Sequence, residues 1–157
     1  MDPLTVIGLV AASAQLVDQG ASVLKYLSRL YNDIKEAPTQ AEKLFNEMTT
    51  MIAVITLLKL RFDTFPERIP ESERMPITNS LDTLNDILQE MKTRCDPKQI
   101  RGVIGRLKWP FDMNETNQYI ERIQRHAGIL NLVLQNEQLY TPSVFLAKLF
   151  KASAPEH

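Results

Sequence analysis

The stretch Leu44-Phe-Asn-Glu-Met-Thr-Thr-Met-Ile-Ala-Val-Ile-Thr-Leu-Leu-Lys-Leu-Arg-Phe62 places large apolar side chains at Leu44, Met48, Met51, Ile55, Leu58 and Phe62. Spacings of four and three put all six on one face of an α-helix and on no single face of a strand. Phe45, Ile52, Val54, Leu57 and Leu60 widen the stripe. The segment 38–63 therefore reads as a central helix with neighbours on more than one side. The same period recurs outward from it. Ile77, Leu81, Leu84, Leu88, Met91 and Cys95 repeat it over 76–95. Thr116, Ile120, Ile123, Ala127, Leu130 and Leu134 carry it through 113–138. Before it, Leu9, Leu16, Leu27 and Ile34 mark a helix over 3–36, with Val6, Val17, Leu24 and Tyr31 alongside and Gly20 free to bend it or admit a close crossing.

The punctuation agrees with the periods. Asp2-Pro3 and Asp96-Pro97 pair an N-cap with a proline at the first helical position. Pro38 and Pro76 can each open a helix. Asp112 and Glu115 have capping-box spacing. Residues 64–75, with Pro66 and Pro70, read as an exposed loop. A short basic helix is expected over 97–107, and Trp109-Pro110-Phe111 breaks the chain after it. Nearly every valine and isoleucine falls inside a helical period, so no strand is expected. The fold class predicted is all-α: a helical bundle of four long helices plus one short helix, forming one domain over 1–140. Residues 141–157 read as a tail in which Leu146, Leu149 and Phe150 can form one docking turn.

With 157 residues the chain can bury one core. A net charge of -1 provides no global field to gather nucleic acid, so any charge argument rests on local patches. Cys95 is the single cysteine, which rules out an internal disulfide and fits a reducing compartment. A small buried hydrophobe is the simplest role for it. The search for chemistry finds no Gly-rich phosphate loop and no G-x-S-x-G. The two histidines are His126 and the terminal His157, and neither has metal-ligand companions at useful spacing. Carboxylate pairs such as Asp82/Asp86 and Glu71/Glu73 read as solvated surface. No enzyme activity, cofactor, metal or small-molecule substrate is expected.

Three features remain. Residues 4–17 carry no charge. They are short of the ~20 residues that span a bilayer, and the acidic Asp2 does not suit a secretory signal. The segment reads either as a core helix, which composition alone favours, or as a releasable membrane element, and one helix can be both in turn. Its apolar positions are Leu4, Val6, Ile7, Leu9, Val10, Leu16 and Val17. Second, Lys98, Arg101, Arg106 and Lys108 lead into Trp109, a set suited to an anionic lipid surface at roughly 1 kcal/mol per cation. The alternative is a solvated helix with Trp109 tucked into the bundle end. Nucleic acid is not expected, because aromatic interleaving is absent. Third, Leu107 to Phe111 forms a rigid aromatic corner that can staple the following helix.

The opening Met1-Asp-Pro-Leu-Thr-Val-Ile-Gly-Leu-Val-Ala-Ala-Ser-Ala-Gln-Leu16 resembles the HeLo-like N-terminal domains of fungal STAND (NOD-like) receptors. So does Gly105-Arg-Leu-Lys-Trp-Pro-Phe111 followed by Glu115 and Ile120-Glu-Arg-Ile123, as does Ala37-Pro38 before a long second helix. The likeness runs over about 1–138. It implies a helical bundle acting as a cell-death or heterokaryon-incompatibility effector, activated by oligomerisation. It also implies that Leu4 to Val17 is the membrane-targeting element, in a protein that moves from the cytoplasm to the plasma membrane.

Overall fold

The computed structural model describes residues 5–34, 39–66, 69–95 and 109–138. Four helices account for nearly all of them: α1 (Val6–Asp33), α2 (Gln40–Thr64), α3 (Glu71–Arg94) and α4 (Met113–Gln138). Among the described residues there is no strand. The chain is all-α, and the stripes read from the sequence form its core. All six periodic positions of α2 are buried, as are those of α3 and α4. On α1 Leu9, Leu16 and Leu27 are buried, while Ile34 packs half-buried against the cluster.

Side-chain pairs set the topology. Tyr31 packs on Phe45 and Gly20 faces Ile52, so α1 and α2 are antiparallel. Arg94 pairs with Glu115 and Arg122 with Glu90, so α3 and α4 are antiparallel too. Gln124 donates to Glu47, and one heptad or more further on Val133 and Leu58 line the same small cavity, so α2 and α4 run parallel. Helices α1 and α3 also pack together. The result is two antiparallel hairpins laid side by side, with the consecutive α2 and α3 across the bundle from each other. The link between them closes over one end, with Phe65 and Ile69 buried.

The ends of the helices correct several expectations. Thr5 caps α1, its Oγ1 accepting from the Gly8 N–H at 3.0 Å, rather than Asp2. Helix α3 starts at Glu71, inside the expected loop, and Pro76 lies within it instead of opening it. Glu71 and Glu73 in the first turn favour the positive end of the helix dipole, and the Glu73 N–H donates to the Pro70 carbonyl at 3.0 Å. So early in a helix, Pro76 removes a single backbone bond. Leu57 and Leu60 face solvent rather than widening the buried stripe of α2. The expected short helix at 97–107 and the tail at 141–157 lie outside the described residues.

Two glycines have opposite roles. A Cβ on Gly20 would meet Ile52 Cγ1 at 3.2 Å and Met51 Cε at 3.3 Å, so its bare backbone lets α1 and α2 approach closely. A Cβ on Gly128 would meet nothing within 4 Å. Gly128→Ala is therefore expected to stabilise the chain by about 0.5–1 kcal/mol in urea unfolding, by lowering the backbone entropy of the unfolded state. A destabilised variant would show that the open space on α4 is occupied.

Candidate functional site

The uncharged run of α1 divides into three kinds of position. Leu9 and Leu16 are core residues, each 1% exposed. Val6, Val10 and Val17 are half-buried against the same cluster. Ile7 points outward at 70% exposure, next to exposed Ala11 and Gln15. Leu4 lies outside the described residues. Gly8 and Ser13 are buried as well, and the Ser13 hydroxyl donates to the Leu9 carbonyl at 2.8 Å, so it enters the core satisfied. The helix is longer than its uncharged run. At 28 residues it extends roughly 42 Å against a hydrocarbon layer of about 30 Å. Among the described residues it is the one helix long and apolar enough to cross a membrane, with 33% of its most apolar 18-residue window buried. Core helices of soluble proteins pass the same test.

The second candidate region lies at the other end of α1. Lys98, Arg101, Arg106 and Lys108 fall outside the described residues, but Trp109 does not. It is 6% exposed and sits in a chain of edge-to-face ring contacts running Tyr31, Phe45, Trp109, Phe111, Tyr119. The centroids of successive rings lie 5.0 to 6.0 Å apart. Its indole Nε1 is buried without a hydrogen-bond partner. The corner thus ties the end of α1, the start of α2 and the start of α4 together, and Trp109 would have to leave it to act as an interfacial anchor. Glu115 N donates to Asp112 Oδ1 at 2.7 Å and Asp112 N to Glu115 Oε1 at 3.3 Å, the reciprocal cap that the spacing predicts. Arg94 closes the corner. It pairs with Glu115, donates to the Pro110 carbonyl at 3.1 Å and lies 5.6 Å from the Phe111 ring centroid. Its role was not legible in the sequence, because its partners lie 16 or more residues away.

An open groove of about 850 Å³ runs between α3 and α4, lined by residues that include Asp86, Glu90, Arg94, Glu115, Tyr119 and Arg122. Its charges pair across it, with Arg122 Nη1 at 3.0 Å from Glu90 Oε2. Burial, with Glu90 close by, pushes the Tyr119 hydroxyl above its ordinary range. Among the described residues its lining holds no thiol, histidine or serine. His126 is half-buried beside the stripe of α4 and its Nδ1 has no partner. Burial, then the nearby Arg125 and Arg122, hold its pKa below the usual value. Among the described residues no group of three His, Cys, Asp or Glu side chains is arranged to hold a metal ion.

Cys95 is buried at the end of α3, and burial pushes its thiol up to about 12. Alkylation of the folded chain by iodoacetamide near neutral pH is expected to be at least about a hundredfold slower than in urea, since the thiolate is the reactive form. Equal rates would place Cys95 at an open site.

No protein-family model, curated protein or solved structure matches the chain. The likeness to HeLo-like domains therefore rests on the residues that carry it.

Proposed function

We propose that this chain is a membrane-targeting effector domain that acts by self-association and release of α1 to an anionic membrane, moving from the cytoplasm to the plasma membrane on activation. The surface of α1 carries the reading. Ile7 is uncovered and no charge follows it until Asp18, in a helix long enough to cross the hydrocarbon layer. Freeing the uncharged half withdraws Leu9 and Leu16 from the core, at about 1.5–3 kcal/mol each. A trigger such as self-association has to offset that loss, and burial in lipid recovers it. The HeLo-like likeness extends the proposal to a cell-death effector of a fungal NOD-like receptor.

Dye release from liposomes containing anionic lipid tests it. Ile7→Glu and Ala11→Glu alter exposed positions only, so leakage is expected to fall to the protein-free level while circular dichroism and melting stay unchanged. Undiminished leakage removes the role from α1. A second reading, a protein-interaction module without a membrane step, is favoured by uncovered Leu57 and Leu60 on α2. It takes over where the chain ignores lipid and still associates.

A further inference from the structure

Helix α1 is held unevenly along its length. Over 20–33 it buries Val23, Leu27 and Leu30, and the Tyr31 ring packs edge-on against those of Phe45 and Trp109, at 5.5 and 6.5 Å between centroids. The Tyr31 hydroxyl also donates to Glu42 Oε1 at 3.4 Å. Over 6–17 the large buried side chains are Leu9 and Leu16, and the segment has no aromatic residue. The two parts meet at Asp18-Gln19-Gly20, where the helix is weakest. Aspartate is a poor residue inside a helix and a strong one at its N-cap. Asp18 is exposed, so no packing compensates for its place in the interior. Gln19 buries its side-chain Oε1 without a hydrogen-bond partner, and water would satisfy that oxygen once it is exposed. Gly20 has the lowest helix propensity after proline, and its bare backbone is seated against Ile52 and Met51.

We propose that α1 opens at this point: the helix breaks at Asp18, residues 6–17 leave the bundle as one arm, and 20–33 stay in place. Asp18 then becomes the N-cap of the shortened helix. Its carboxylate accepts from the N–H of Gly20 or Ala21, two of the donors that the break leaves without partners. Gly20 keeps its close seat on α2, and the ring contacts of Tyr31 are untouched. The core gives up Leu9 and Leu16 and retains Val23, Leu27 and Leu30. The break falls where the uncharged run ends, so the arm takes no charged side chain with it. This opening is how α1 is released in the proposed function, and it rests on that reading.

Amide hydrogen exchange of the full chain without lipid, resolved by residue with NMR, tests it. The amides of 9–17 are expected to be protected at least about tenfold less than those of 23–31, with the change falling within one turn after Asp18. Fraying gives a gradual rise from Thr5 instead. Such a gradient overturns the proposal, as does equal protection along α1. Asp18→Ala removes the cap of the open form and a poor helix residue from the closed one, at an exposed position. It is expected to raise protection over 9–17 by about tenfold, and over 23–31 by no more than about threefold. An equal gain in both parts, or none over 9–17, overturns the hinge. Dye release is read separately. Uniform protection in a chain that still releases dye removes the hinge and keeps membrane action. A step after Asp18 in a chain that ignores liposomes keeps the hinge and removes membrane action.

Discussion

Leu9→Glu is expected to unfold the bundle or leave it barely folded, while Ile7→Glu, two residues away, leaves its stability unchanged. Both positions lie in the uncharged opening of α1 and look alike in composition. Leu9 is 1% exposed inside the main cluster and Ile7 is 70% exposed. Removing a buried leucine costs roughly 2–5 kcal/mol. The carboxylate that replaces it must also be desolvated or protonated, at several kcal/mol more. Against a total stability of about 5–15 kcal/mol, that is a large share. For a chain of this size, a loss of 5 kcal/mol lowers the melting temperature by about 10–20 °C. Ile7→Glu stays within about 0.5 kcal/mol, helped by an acid near the positive end of the helix. Equal melting temperatures for the two variants would mean that α1 is not seated as described. The contrast also decides which substitution can probe membrane action, since Leu9→Glu would abolish leakage merely by disrupting the fold.

Trp109→Ala is expected to cost about 3–5 kcal/mol, and Trp109→Phe much less. The alanine variant empties the centre of the aromatic chain and loses the ring contacts to Phe45 and Phe111. Each such contact contributes about 0.5–1.5 kcal/mol beyond burial. Phenylalanine retains a ring and removes the indole N–H, which is buried without a partner at a cost of about 1–3 kcal/mol. The lost volume and the removed donor therefore partly offset each other. Urea midpoints followed by circular dichroism measure both, because Trp109 is the only tryptophan and its fluorescence disappears with it. An unchanged midpoint in Trp109→Ala would show that the corner does not hold α1, α2 and α4 together. A Trp109→Phe loss as large as that of alanine would show that the N–H has a partner.

Much of the architecture was legible in the chain. The stripes of α2, α3 and α4 are buried at every periodic position. The reciprocal cap of Asp112 and Glu115 forms as its spacing requires. These features are local, and a helix repeats its geometry every few residues. The candidate site was less legible. The segment 4–17 announced itself by lacking charge, but its division into core and surface depends on where α2 and α3 lie. Arg94 gave no signal, since its pairing with Glu115 and the Pro110 carbonyl joins elements far apart in the chain. The start of α3 was misplaced because a proline usually marks a helix start, and here the acidic first turn and the Pro70 carbonyl open it earlier.

By itself, then, the sequence determined four helices, the face each one buries and the cap that starts the last. Periodicity and capping act over a few residues and need no partner. Only the tertiary structure decided that α2 lies between α1 and α4, that Leu57 and Leu60 are exposed, and that Trp109 is locked among the rings of Tyr31, Phe45 and Phe111. An apolar side chain on a helix specifies that something should cover it. Which element does so depends on the packing of the whole bundle, and among the described residues Leu57 and Leu60 of α2 are left exposed.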